Sequence, residues 1–284
     1  MTKQKILVTG GAGFVGSNLI AQLILNGHDV HSIDNYDSGL VSNELDGCNY
    51  HIGDIENVSF MDSDFDVIYH LAALSRIQPS FENPSETFRV NTIGTEAVLR
   101  YARKINASVI YAGSSSKWHN PHISPYASAK HLGEELCKMY KSVYGLDVEI
   151  VRFYNVYGPG EIVDGDWAAV IGKWRRLARD GEDITIVGDG EQKRDFTHID
   201  DIVDGLVKIS ESDVSPDDAW ELGTGSNHAL NDVYRAFNRR FNTKCIYISD
   251  QPGNYRATKR ENDFALDNLN WKPVDRLMDY IKEL

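Results

Sequence analysis

The chain has little of what would take it out of ordinary globular chemistry. Its three cysteines, Cys48, Cys137 and Cys245, are odd in number, widely spaced and free of any Cys-x-x-Cys pair. Neither a disulfide framework nor a zinc knuckle fits that pattern, and reduced thiols are expected. No apolar run approaches the length of a membrane span. The N-terminus passes directly into a strand pattern, which leaves no room for a signal peptide and makes the cytoplasm the expected location. Positive charge is also scarce, with 29 Lys and Arg against 42 Asp and Glu and a formal net charge of −13. Nonspecific binding to nucleic acid or anionic membrane needs clustered cations, so neither partner is expected. A small anionic ligand held by a few local cations and backbone amides remains compatible with this balance. The densest basic stretch, Lys173-Trp174-Arg175-Arg176 with Arg179, falls in a helical pattern and reads as a solvated face. Repeats, low-complexity stretches and flexible linkers are missing too. The 284 residues therefore suit one large domain or a domain with a smaller lobe.

What is present begins at Lys5-Ile6-Leu7-Val8-Thr9-Gly10-Gly11-Ala12-Gly13-Phe14-Val15-Gly16. A short apolar run ends in glycines that satisfy both Gly-x-Gly-x-x-Gly and Gly-x-x-Gly-x-x-Gly. Glycines suit a strand-to-helix turn because they accept positive φ and let backbone N–H groups approach a pyrophosphate at a helix N-terminus. Gly10, Gly13, Phe14, Val15 and Gly16 are thus the candidate phosphate-binding turn. A helix is expected over Phe14 to Asn26, stopped by Gly27, then a strand over Val30 to Ile33 ending at Asp34. A carboxylate there can accept both adenosine ribose hydroxyls and would repel a 2′-phosphate, which argues for NAD over NADP.

Beyond Asp34, strand and helix alternate, which implies a mostly parallel sheet covered on both faces. Strands are expected at Tyr50 to Gly53, Val67 to Leu71, Ala107 to Ala112 and Val148 to Phe153. Long helices are expected over Ser85 to Ile105 and over Tyr126 to Tyr144, the second stopped by Gly145. From Gly158 the regularity loosens, with helices at Trp167 to Arg179, Asp200 to Ser210 and Asn231 to Phe241. Extended segments are expected at Ile184 to Val187 and Cys245 to Ile248. The expected fold is α/β: a Rossmann-type doubly wound parallel sheet, residues 1–157, with a smaller C-terminal α/β substrate lobe, residues 158–284. Some segments of the second part return to the first.

Tyr126 and Lys130 stand four apart on the expected helix and so share a face. An unperturbed tyrosine titrates near ~10. A neighbouring ammonium and an oxidised nicotinamide favour the phenolate, so Tyr126 can take a proton from a substrate hydroxyl while hydride leaves the same carbon. The strand before it ends at Ser114-Ser115-Ser116, on the carboxyl edge where open α/β sheets place ligands. His119, His122 and His131 lack the spacing of a ligand set, and no metal is expected.

Together these residues resemble the extended short-chain dehydrogenase/reductase family, in its NAD-dependent nucleotide-sugar epimerase and dehydratase branch. The resemblance rests on the glycine turn, Asp34-Asn35, Gly53-Asp54-Ile55, His70-Leu71-Ala72-Ala73, Asn91, Ser114, Tyr126 and Lys130. It continues through Arg152-Phe153-Tyr154-Asn155-Val156-Tyr157-Gly158-Pro159 and through the segment from Gly188 to Asp201, which contains Arg194. It implies Ser114, Tyr126 and Lys130 as catalytic residues. Cofactor contacts are implied at Asp34, Asn35, Asp54, Ile55, Leu71, Ala72, Ala73, Asn91, Tyr126, Lys130 and Phe153. Substrate contacts are implied at Ser75, Ser114, Asn155, Arg194 and Arg256, with a surface salt bridge as the alternative for Arg256. Trp118 either caps the sugar pocket or packs on the loop before Tyr126. A homodimer is implied, its two long helices pairing across a two-fold axis.

Family dehydratases follow the catalytic Ser or Thr with an Asp-Glu pair, and the decarboxylases keep a glutamate at the second of those positions. Here the two are Ser115 and Ser116, which leaves the 4-epimerase pattern on a nucleotide sugar, a UDP-hexose or UDP-N-acetylhexosamine. A nucleotide-sugar oxidoreductase or dehydratase and a non-catalytic NAD-binding protein on the same fold are the alternatives. Lys117-Trp118-His119 and the short stretch from Ser114 to Tyr126 depart from the usual epimerase pattern, as does Leu74 to Ser80.

Overall fold

The apolar runs of the N-terminal half build one parallel sheet in the computed structural model, which describes residues 2–61 and 63–284. Its strands are β1 (Lys5–Thr9), β2 (Asp29–Asp34), β3 (Cys48–Ile52), β4 (Val67–His70), β5 (Ser108–Ser114), β6 (Val148–Phe153) and β7 (Trp220–Leu222). They lie in the order β7-β6-β5-β4-β1-β2-β3. The main helices are α1 (Phe14–Leu25), α2 (Thr95–Ile105), α3 (Pro125–Tyr144), α4 (Val170–Arg179) and α5 (Ile199–Ser210).

Period-two alternation divides the sheet between two cores. Ile6 and Val8 pack with Leu19 and Leu23 of α1 and Ile202 and Leu206 of α5. Leu7 faces the other way, with Val98 and Leu99 of α2 and Ile150 of β6. Because both faces are covered, the central strands are apolar almost throughout. A third core surrounds the parallel pair Ile184–Val187 and Cys245–Ile248, where Trp174, Ile186, Phe237 and Leu277 meet. Among the described residues no helix is long and apolar enough to cross a membrane.

The expected strands and helices form; short helices at Ile77–Glu82, Phe264–Leu269 and Leu277–Glu283 are additional, and three further differences concern the sheet and its helices. The helix expected over Ser85 to Ile105 is a succession: a short helix Pro84–Phe88, a π-helical turn Arg89–Gly94, then α2. The wider turn brings Gly94 against Ile55, whose Cδ1 would lie 2.4 Å from any Cβ on that glycine. It also turns Asn91 inward, a use of π-turns common at functional sites. Second, the helix expected from Trp167 begins only at Val170, leaving Trp167 in a loop. Third, β7 had no counterpart in the sequence reading: three residues are too few to show a period, although all three are buried.

One ion-pair network lies where α3 crosses the sheet. Arg152 of β6 is fully buried, and its Nη2 lies 2.8 Å from Glu134 Oε2 on α3. Its Nη1 lies 2.7 Å from Asp218 and 3.6 Å from Glu221 of β7. Glu134 also accepts the Ser114 N–H at 3.3 Å, an approach that the missing Cβ of Gly113 permits. Such charges are expensive to desolvate and hold only while every partner is present. Arg152→Met should therefore destabilise the protein by about 3–5 kcal/mol in urea denaturation, and adding Glu134→Gln should recover part of the loss. An unchanged urea midpoint in the single variant would remove the network from its assigned role.

Candidate functional site

The strand order reverses between β1 and β4, so their carboxyl ends splay and open a crevice, the usual ligand position in such sheets. A cleft of about 780 Å³ starts there and runs to the C-terminal lobe. Gly10 turns the chain out of β1 with φ +74°, and a Cβ on it would lie 2.9 Å from the Ala72 Cα. A Cβ on Gly16 would lie 2.2 Å from the Gly10 carbonyl oxygen. No side chain fits at either position. Gly13 caps α1 in extended conformation without a side-chain hydrogen bond, so the first amides of α1 remain available to a ligand.

Asp34, almost fully buried, accepts from the Ala12 N–H at 2.9 Å and the Tyr36 N–H at 2.8 Å. It thereby ties the glycine turn to the end of β2. Asn35 Nδ2 donates to Asp54 Oδ1 at 2.8 Å beside it. Phe14, Val15, Ile55, Leu71, Ala72 and Ala73 line the same end of the cleft. Donors at a glycine turn and a carboxylate one strand away fit a dinucleotide with free ribose hydroxyls.

Asn91 does not line this cleft. Its Nδ2 donates to the Leu74 carbonyl at 2.9 Å and its Oδ1 accepts the Leu74 N–H at 2.8 Å. The π-helical turn aims it at the backbone behind the wall, so the expected cofactor contact is instead a clamp on the segment after β4. His70, beneath it, bonds Thr9 and Thr95, and burial pushes its imidazole down to about 3, leaving it neutral.

Ser124 caps α3 by accepting the Ala127 N–H at 3.1 Å, with Pro125 in the first turn, a strong helix start. The Tyr126 hydroxyl donates to Ser114 Oγ at 3.3 Å, and Ser114 Oγ also accepts the Ser116 N–H at 3.2 Å. Burial raises the Tyr126 phenol, opposed by the Ser114 hydrogen bond and the charge of Arg76. Lys130 reaches elsewhere than its spacing suggested. Its ammonium donates to the Ala112 carbonyl and sits 4.4 Å from the centre of the Tyr111 ring. Arg76 supplies the cationic influence on Tyr126 in this arrangement.

Ser75, Phe153, Asn155 and Arg194 also line the cleft, Phe153 beside Ser114 at the end of the sheet. Asn155 Nδ2 donates to the Asp195 carbonyl at 2.9 Å. Arg194 donates to Asn254 Oδ1 at 2.6 Å and, among the described residues, has no carboxylate within 4 Å; burial lowers it to about 10. Such a cation suits a phosphate. Arg256 lies outside the cleft, exposed and paired with Asp189 at 2.8 Å, the surface-pair alternative. Trp118 also lies outside, donating to Glu221 at 2.7 Å. His119 stacks on Tyr255 with ring centres 3.8 Å apart. Among the described residues no group of three His, Cys, Asp or Glu is placed to hold a metal. Arg76, Glu161 and Tyr255 line the cleft without having been singled out from the sequence; Arg76 alone carried a signal, as a cation in the departing segment after Ala73.

Residues 6–223 match the sequence profile of the NAD dependent epimerase/dehydratase family. The UDP-N-acetyl-alpha-D-glucosaminuronate decarboxylase of Bacillus cytotoxicus is 34% identical over 75% of this chain and 73% of its own length. The UDP-glucose 4-epimerase of Mycolicibacterium smegmatis is 28% identical over 98% of this chain and 96% of its own. The crystal structure of a UDP-glucose 4-epimerase with UDP-glucose from Thermotoga maritima superposes with a TM-score of 0.92 at 28% identity, covering 98% of this chain and 96% of that one.

Two predictions rest on this geometry. Asp34→Ala should weaken NAD binding by about 1–3 kcal/mol and narrow its preference over NADP, read by calorimetry. Equal affinities of the unmutated protein for the two cofactors would defeat the assignment. Burial lowers Lys130 to about 8, against the opposing pull of Glu134, while the unfolded chain keeps a value near ~10.4. Below 8 both states hold the proton and the native state bears the buried charge. Between the two values the unfolded state binds more protons, so this residue's contribution to stability rises with pH. In cofactor-free protein, the melting temperature of Lys130→Met relative to the native chain should therefore be highest at pH 7 and fall toward pH 10. A difference independent of pH would contradict the shift.

Proposed function

Since this chain belongs to the NAD dependent epimerase/dehydratase family, we propose that it is a nucleotide-sugar 4-epimerase acting on a UDP-hexose or UDP-N-acetylhexosamine. The observation that carries this reading is the hydroxyl couple of Tyr126 and Ser114, followed by serines where the resemblance would put the carboxylates of an elimination or decarboxylation site. Glu134, which accepts the Ser114 N–H, is held in an ion pair with Arg152.

The glycine turn, Asp34 and the wall from Leu71 to Ala73 would hold the NAD, which supplies a reversible hydride acceptor at C4 of the sugar. Tyr126 takes the C4 hydroxyl proton, with Ser114 sharing the hydrogen bond to that oxygen, and gives it back once the ring has presented its other face. Lys130 holds the catalytic edge of β5 through the Ala112 carbonyl, and Arg76 supplies the positive charge that acts on the phenol. Arg194 holds the diphosphate, and Asn155 orients the sugar beside it. Since the proton and the electron pair return to the substrate, the cofactor is retained through the cycle. The same reading carries a homodimer, supported by exposed Ile93 in the π-helical turn before α2 and exposed Leu132 and Val143 on α3.

Tyr126→Phe should keep the fold and cofactor while lowering turnover by roughly 10²–10⁴. In deuterated water a 4-epimerisable substrate should keep hydrogen at C4 and gain no deuterium at C5, with no NADH released, as read by NMR and absorbance. Deuterium at C5 with a 4-keto-6-deoxy product would establish dehydration instead, and steady NADH release an oxidoreductase.

A further inference from the structure

Among the described residues, two arginines of the cleft, Arg76 and Arg194, have no carboxylate within 4 Å, whereas Arg89 is paired with Glu86 and Glu56. The nucleotide-sugar reading gives Arg194 its anion, the diphosphate. It leaves Arg76 without one. This partly buried side chain makes a single hydrogen bond, from Nε to the Trp167 carbonyl at 2.9 Å, so both Nη groups keep their donors free. A guanidinium in that state offers a planar fork to a planar anion. Leaving it unpaired in a desolvated site is costly.

Its place in the cleft decides which part of a sugar it meets. Arg76 stands between the cofactor-lining segment after β4 and the short helix Ile77–Glu82. Ser80 of that helix accepts the Tyr126 N–H at 3.2 Å, which holds the segment against the start of α3. Arg76 accordingly acts electrostatically on the Tyr126 phenol. Tyr126 and Ser114 mark where the C4 oxygen belongs, and C1, carrying the diphosphate, lies across the pyranose ring from C4. A cation beside Tyr126 therefore meets the substituents next to C4: the C3 hydroxyl or the C6 group on C5. Only the second can be an anion in a simple hexose derivative, as a carboxylate.

Glu161 faces the same space and acts electrostatically on Arg76, but makes no ion pair with it within 4 Å and is already engaged elsewhere. Its Oε1 is engaged by the Tyr280 hydroxyl at 3.4 Å and by Arg175 at 3.5 Å, and burial pushes its carboxyl up to about 7. Glu161 is thus partly protonated at neutral pH.

We propose that Arg76 binds a C6 carboxylate, so that the preferred substrate is a nucleotide-linked uronic acid. This rests on the nucleotide-sugar 4-epimerase reading and narrows its sugar from a hexose to the C6-oxidised uronic acid.

The test is calorimetric titration of the NAD-loaded protein with UDP-glucuronate and UDP-glucose. UDP-glucuronate should bind about 10–100-fold more tightly, the range of a charge-assisted bidentate pair. Arg76→Met should remove that preference, weakening UDP-glucuronate by the same factor and UDP-glucose far less, and Arg76→Lys should restore part of it. Equal affinities, failure of both sugars to bind, or a preference that survives in Arg76→Met would overturn the proposal. Binding is read separately from turnover. A preference without C4 epimers formed from either sugar would count against the epimerase reading alone, and epimerisation without a preference would count against Arg76 alone.

Discussion

The catalytic edge of this protein depends on one buried guanidinium. Arg152 has no access to solvent, yet it touches Glu134 of α3, Asp218 in the loop before β7, and Glu221 of β7. Because Glu134 also receives the Ser114 N–H, the rotation of α3 about its axis and the end of β5 are set by the same charge. Tyr126 and Lys130 lie two turns and one turn before Glu134 on α3, so their placement over the sheet follows from it. Glu221 extends the network outward by accepting from Trp118 and Tyr154 and from the backbone of Glu261 and Asn262. Trp118 thus belongs to the scaffold beneath the serines, which accounts for an aromatic residue in a segment that departs from the usual epimerase pattern.

Much of this was legible in sequence because the relevant signals are local. Glycine spacing, an acidic residue ending the second strand and two residues four apart on a helix survive translation into structure with few changes. What was missed depends on contacts between distant segments. The inward turn of Asn91 follows from a π-helical turn, which leaves no mark in apolar periodicity. Arg76 meets Trp167 across 91 residues of chain, and Glu161 meets Tyr280 across 119. Lys130 was placed correctly along its helix, but the direction of its ammonium was decided by the Ala112 carbonyl on a neighbouring strand. Arg256 sat in a motif position that suggested a nucleotide contact, and Asp189 holds it at the surface.

Charge in the cleft is divided in a way that the overall balance of −13 hides. Asp34 and Asp54 stand at the end by the glycine turn, where the proposed dinucleotide's ribose would need acceptors, and Arg76 and Arg194 line the same cleft as the cations proposed to meet the sugar nucleotide. A strongly acidic protein can in this way hold doubly charged ligands, because the local field of a few partly desolvated cations outweighs distant, screened carboxylates.

The two ends also differ in what would have to give for a ligand to leave. Around the glycine turn the walls are main chain against main chain: the Gly10 and Ala72 backbones touch, and the Asn91 amide grips both polar atoms of Leu74. At the other end the walls are bridged by side chains reaching over from separate segments, Arg76 to Trp167 and Arg194 to Asn254. Rotamer changes are fast, whereas moving packed backbone requires collective motion. On the proposed epimerase reading the cleft would have two clocks, a slow one for the cofactor on the glycine turn and a quick one for the ligand between the arginines, so that successive sugars could pass while one cofactor stays.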